Sequence, residues 1–385
     1  MSHAKIRSEH ENNTTEERPL LTANLDRLMA GGLSLVGFAV CWLFFDRSAG
    51  PYTYAGVYPN GAYVANPTIG QLSWTLFYLS FVCNFPHFLL SYQLLYWDFR
   101  DRIFKDRAFA WAAIAVPLLL LGVMGYSAFR APGWITGFLR VMYLLVAWHY
   151  VKQIYGVFLF SSARNRVYYS PLEKGALWCT LIALGALNLV SGNSAELSFD
   201  FYGYTYVTWA LPAWCLTTAW IAFGVALLVL VIALLVKYVR EGAVPPASSA
   251  IALVAILAWY VPTLTHFTFF YMIPFFHSFQ YIWFATAFRR NKVAAQSEHL
   301  SGPRRRLCHL MSFWGYLGAS VVLGALAFHF IPTALDQHFT AADGSTQPQL
   351  WMALFTVFLN LHHYFIDSVI WRRGNAEVGR FLVGK

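Results

Sequence analysis

In a chain of 385 residues, 58% of them hydrophobic, 18% aromatic and only 12% charged, the charges are too few to cover a water-facing surface. Ordinary soluble proteins use about a quarter of their residues for that purpose. The formal net charge of +9 does not point to nucleic acid, because the cations stand in short clusters between apolar runs. Those runs approach the roughly 20 residues that a helix needs to cross the hydrocarbon core. The fold class read from them is all-α: a polytopic integral membrane bundle of about ten transmembrane helices.

In chain order, residues 1–27 are polar and are expected to form a disordered tail. Spans follow at 28–46, 73–97, 108–129, 135–160, 174–195, 213–237, 249–265, 267–288, 307–333 and 350–371. Together, 28–371 form one transmembrane domain, and 372–385 form a basic tail. The first apolar run lacks an A-x-A cleavage site and reads as a retained helix rather than a signal peptide. The connection 47–72, rich in Tyr, Gly, Pro and Asn, reads as a small cap. Pro262 and Pro274 interrupt 249–288, which reads as two spans with a tight turn near 266. One span plus a re-entrant segment would move the next basic loop to the other side. Five cysteines without a CxxC pair argue against a disulfide framework or a zinc finger.

Cations test the span count. Odd-numbered connections hold few: Arg47 alone in 47–72 and Arg130 alone in 130–134. Even-numbered connections are basic, with Arg100, Arg102, Lys105 and Arg107 in the first and Arg304, Arg305 and Arg306 in the last. This alternation is the pattern that the positive-inside rule gives to ten spans with both termini in the cytoplasm. The expected location is the bacterial inner membrane.

Ionisable residues inside spans are costly and usually face the bundle interior. His87 lies near the middle of span 2, His149 of span 4, His277 of span 8, and His362 and His363 of span 10. All four spans run from outside to inside, so the imidazoles can share one depth. His266, eleven residues before His277, can share its face. A lone intramembrane histidine often only hydrogen-bonds to a neighbouring helix. Five at one depth point instead to a shared site with a metal as its content, and His87, His149, His266, His277, His362 and His363 are the candidate ligands. At i+4, His87 has Ser91, His149 has Gln153, His277 has Tyr281 and His363 has Asp367, placed to orient the rings. Tyr281, Asp367 and Lys152 are the candidates for further chemistry; Lys152 either snorkels to the inner face or partners an anion or proton. Imidazole suits zinc, copper and iron. Non-haem Fe2+ is the leading expectation and Zn2+ the second. The substrate would be a hydrophobic small molecule or lipid, such as an isoprenoid, entering from the bilayer. His309 and His329, nearer span ends, read as structural.

The Pro86-His87 step, followed by midplane histidines in later helices, resembles the bacteriorhodopsin-related (Brp/Blh-type) membrane β-carotene dioxygenases. The resemblance implies an all-helical membrane enzyme that holds one iron by four histidines and cleaves carotenoids with O2. Its ligands here would be His87, His149, His277 and one of His362 and His363. That family continues its first motif as PHG with an acid soon after, whereas this chain reads Pro86-His87-Phe88 with no acid before Asp98. The HxxxH and HxxHH boxes of membrane desaturases are absent. Two other classes use the same residues. In a transporter or proton-coupled channel, the histidines, Lys152 and Asp367 would line the path. In a haem b or quinone-linked electron carrier, two facing histidines would be axial ligands.

Overall fold

The computed structural model describes residues 18–44, 77–131, 133–196, 198–264, 272–339, 349–372 and 374–383. The expected cap over 47–72, the turn near 266 and His266 itself lie outside the described residues. Among those described, the chain is built almost entirely from helices: α1 (23–44), α2 (77–98), α3 (Arg107–Arg130), α4 (Gly133–Arg164) and α5 (Pro171–Gly192) come first. A two-stranded antiparallel hairpin follows, β1 (Ser198–Phe201) and β2 (Tyr204–Val207), with Ser198 opposite Val207. Then come α6 (Ala213–Glu241), α7 (Ala247–Thr263), α8 (Ile273–Gln296), α9 (Gly302–Phe339), α10 (Leu350–Ile370) and a short α11 (376–383).

Six of these helices, α3, α4, α5, α6, α9 and α10, are long and apolar enough to cross a membrane. Their exposed faces carry the signature of lipid contact. Along α6, Ile221, Val225, Leu228, Ile232, Leu235 and Val239 are all exposed, a spacing that forms one apolar stripe. A water-soluble protein does not leave such a patch uncovered. The chain is therefore an integral membrane helical bundle. Of these six, α10 lies deepest: 61% of its most apolar stretch is buried, against 17% for α6.

Local chemistry sets the helix ends. Ser170 and Glu173 form a reciprocal capping box at the start of α5 with Pro171 in its first turn, satisfying backbone N–H groups that have no partner within the helix. Gly242 ends α6 in the left-handed conformation at φ 64°, where a side chain would be strained. α1 begins at Ala23, inside the stretch expected to be a tail. Thr22 caps it by accepting from the Leu25 N–H. The Asp26 carboxylate adds a further hold, accepting from the backbone N–H groups of Leu20 and Leu21 and, at 2.8 Å, from the Trp283 indole of α8.

Gly31 breaks the helical geometry within α1. The break leaves the Ala30 carbonyl to accept from the Gln280 side chain of α8, and it lets α1 press against α7. A Cβ at Gly31 would lie 2.7 Å from the Ala255 Cβ and 3.0 Å from the Ile251 carbonyl, closer than atoms can approach without movement. Gly324 of α9 is similarly pressed on Phe85 of α2, with 2.9 Å to its Cβ.

Both ends of the described chain meet at one end of the bundle. The Arg164 guanidinium donates to the carbonyls of Arg18, Pro19 and Leu382, and neighbouring Arg290 and Asn291 donate to Leu20 and Phe381. The basic tail is thus docked, with Leu382 buried. At the same end, the fully buried Asp98 carboxylate pairs with Arg289 at 2.5 Å and with Lys292 at 3.5 Å, and Lys292 reaches Glu377 at 2.7 Å. Arg102 and Arg372 both bind Asp106.

Gly31→Val is expected to destabilise the protein by about 1–3 kcal/mol through overpacking, lowering the unfolding temperature in detergent. Gly122→Ala, where an added Cβ meets nothing within 4 Å, is the matched substitution expected to leave that temperature unchanged or slightly raised.

Candidate metal centre

Four helices bring four imidazoles together: His87 from α2, His149 from α4, His277 from α8 and His363 from α10. All four residues are buried. Their rings form a closed cycle, with centroids 5.0 Å apart for His87 and His277, 4.7 Å for His277 and His149, 5.1 Å for His149 and His363, and 5.1 Å for His363 and His87. His149 and His277 face each other through Nε2 at 3.2 Å. One ligand atom each of His87, His277 and His363 lies within 4.8 Å of the other two, and so do those of His149, His363 and Asp367. His277 precedes Arg289 by twelve residues, about 18 Å of helix, which sets the cycle near the middle of a roughly 30 Å hydrocarbon core.

Hydrogen bonds fix which nitrogen of two rings carries the proton. His87 Nδ1 meets the Asn84 carbonyl at 2.5 Å, and a carbonyl only accepts, so Nδ1 is the protonated nitrogen. His363 Nδ1 meets Ser91 Oγ at 2.9 Å. The single hydroxyl proton of Ser91 is given to the Phe88 carbonyl at 2.6 Å, so Ser91 accepts from His363. In both rings, then, Nε2 keeps its lone pair. The His363 Nε2 and the His277 Nδ1 are buried with no hydrogen-bond partner among the described residues, which buried polar atoms rarely tolerate.

Backbone irregularities help to aim the rings. The π-helical turn Ser80–Asn84 leads into Pro86 and His87; a proline cannot donate to the ladder, and such turns displace the helix by one residue. Ser278, one residue after His277, lies 2.9 Å from His87 Nδ1 and donates to the Pro274 carbonyl.

The spacing argument placed the orienting partners on the wrong helices. Ser91, expected beside His87, serves His363. Gln153, expected beside His149, donates to the His277 carbonyl at 3.0 Å and to Gln280 at 2.9 Å. Tyr281, expected beside His277, donates to Asp367 Oδ1 at 2.8 Å. Asp367 does approach His363, at 3.3 Å, but on Nε2 rather than on the back nitrogen. The cause is geometric: a side chain one turn away points the same way as the imidazole and stands beside it, so the far nitrogen meets an adjacent helix.

Two expected residues are not brought to the cycle. His362, turned about 100° from His363, faces α2 and α3, where its Nδ1 accepts from Tyr92 of α2 at 2.8 Å and its Nε2 donates to the Ala112 carbonyl of α3 at 2.8 Å. Ala112 belongs to the π-helical turn Trp111–Ala115, whose wider ladder leaves a carbonyl for a side chain. Lys152 lies on the exposed side of α4. His266 lies outside the described residues. Asn84, Ser278 and Trp371 are not among the residues expected from sequence; the one signal for Asn84 and Ser278 is a small polar group inside an aromatic stretch.

Aromatic rings close around the cycle. Tyr150 lies 4.7 Å from His277, Tyr364 4.8 Å from His149 and Phe88 4.8 Å from His363. From Phe88 the rings continue through Phe328 at 5.0 Å to Phe85 at 4.7 Å and Phe81 at 5.1 Å. His329, beyond them, packs against Phe77 and Phe81.

Compared with protein-family models, curated proteins and solved structures, the chain matches none.

In metal-free protein with 15N-labelled histidine, NMR in detergent micelles is expected to show His87 and His363 protonated at Nδ1. Ser91→Ala should remove that preference at His363 alone. An Nε2–H tautomer at His363 in the unaltered protein would refute the arrangement.

Proposed function

We propose that the chain is a ten-span membrane metalloenzyme with both termini cytoplasmic, and that its four histidines hold one Fe2+ that oxidises a hydrophobic isoprenoid or lipid substrate with O2. The observation that carries this reading is the closed cycle of four imidazoles, with lone pairs on His87 and His363. Two nitrogens about 2.1 Å from one ion and roughly 100° apart lie about 3.2 Å from each other, the separation found for His149 and His277. Imidazole ligands suit iron and zinc, and four of them leave positions free for O2 when the ion takes six. Iron is the first choice and Zn2+ the alternative; the resemblance to the Brp/Blh-type dioxygenases favours iron. That both ends of the described chain meet among the same cluster of cations supports the even span count and the cytoplasmic assignment. A dry, aromatic wall suits an uncharged substrate.

A transport path would continue in polar groups from the centre to both surfaces. On the His363 side it meets Phe88, Phe328, Phe85 and Phe81 instead, and Lys152 stands outside. Ring centroids 4.7–5.1 Å apart suit a single ion rather than a haem plane held between two axial histidines.

Elemental analysis of detergent-purified protein is expected to find near-stoichiometric iron. His363→Ala should lose it, and His362→Ala, one residue away, should keep it. Equal metal content in the two variants would sink the reading.

A further inference from the structure

We propose that Asp367 is the anionic ligand of this centre and that Tyr281 is the latch that aims it, so that the site takes four imidazole nitrogens and one carboxylate oxygen. This rests on the metal reading above and extends it to a residue outside the histidine cycle.

Three observations carry it. First, Asp367 Oδ2 lies 3.3 Å from His363 Nε2 and 3.7 Å from His149 Nε2. The hydrogen bonds of His363 leave its Nε2 with a lone pair, so the contact with the carboxyl oxygen needs a cation there, either the carboxyl's own proton or a metal ion that displaces it. Two acceptors hold such a contact when a cation lies between them. Second, the charge balance requires an anion. Four neutral imidazoles would leave a divalent ion with its full charge in the membrane interior, where an unpaired charge costs several kcal/mol. Asp367 is the acid that reaches the cycle among the described residues, while the cation Lys152 is turned to the exposed side. Third, the carboxylate is held from behind. Tyr281 donates to Oδ1 at 2.8 Å, and the Trp371 indole donates to the Tyr281 oxygen at 3.3 Å. With Oδ1 occupied, Oδ2 is the atom left to point inward. A hydrogen-bonded carboxylate ligand of this kind has its orientation and basicity set by the group behind it.

The consequence is a preference among metals. A set of four nitrogens and one oxygen suits a divalent ion that accepts five or six ligands, such as Fe2+ or Mn2+, over four-coordinate Zn2+. One position of an octahedron then stays free for O2 or substrate.

The test uses Co2+ as the probe, added to chelator-stripped full-length protein in nanodiscs and read by its visible absorption and by titration. The wild type should bind one Co2+ with the weak bands of five or six ligands. In Asp367→Asn the bands should strengthen as the ligand number falls, and affinity should drop by at least the roughly 10–100-fold typical of a lost supporting group. Tyr281→Phe, which keeps the carboxylate, should still bind Co2+ with a shifted spectrum and an affinity loss of about tenfold. If Asp367→Asn keeps the wild-type spectrum and affinity while His363→Ala binds no Co2+, Asp367 is not a ligand and this inference fails alone. If the wild type binds no Co2+, or His363→Ala binds it as the wild type does, the metal centre itself fails.

Discussion

Four imidazoles turned toward one another in the middle of the bundle are the feature around which its packing is organised, because each is carried by a separate helix. Each comes from a different helix, so none of the four helices can slide or rotate without opening the cycle. Backbone groups satisfied within a helix cannot provide such cross-links, and lipid supplies no hydrophobic drive between helices. Side-chain hydrogen bonds across the helices do: His363 of α10 to Ser91 of α2, Tyr281 of α8 to Asp367 of α10, and Gln153 of α4 to the His277 carbonyl of α8. The site and the packing of its four helices are therefore one structure.

Irregular backbone is concentrated where this arrangement demands it. The broken turn at Gly31 gives the Ala30 carbonyl to Gln280, which in turn accepts from Gln153 beside the cycle. The π-helical turns at Ser80–Asn84 and Trp111–Ala115 sit next to His87 and opposite His362. The Ala30 and Ala112 carbonyls accept from side chains of other helices and the Asn84 carbonyl from His87 of its own, the way buried backbone groups stay satisfied in a membrane. At the basic end, the charged network around Asp98, Arg289 and Lys292 reaches Glu377 near the C-terminal end of the described chain, while Arg164 and Arg290 hold its N-terminal end.

The pairing of His362 with His363 shows how function and packing divide between neighbours. One ring is spent on Tyr92 and the Ala112 carbonyl and pins α10 against α3; the other is left with an unpartnered nitrogen in the centre. Because the pin sets the rotation of α10, the aim of His363 and of Asp367, one turn later, depends on a residue that never reaches the centre itself.

The membrane bundle was legible from composition and run length, since an apolar stretch of spanning length admits few other folds. The helical intervals came close for the same reason; the larger departures are the earlier start of α1, where Asp26 meets Trp283 two hundred and more residues away, and the ends of α8 and α9, which run past 288 and 333. The candidate ligands His87, His149 and His277 could be named because histidine is costly at membrane depth, and that cost is visible in one dimension. Rotation about the helix axis is not. Which of His362 and His363 faces inward, why Lys152 faces out, and which helix supplies the orienting partner of each imidazole were all decided by the tertiary structure. These are angular relations between separate helices, and spacing along one helix carries no information about the neighbour it will meet.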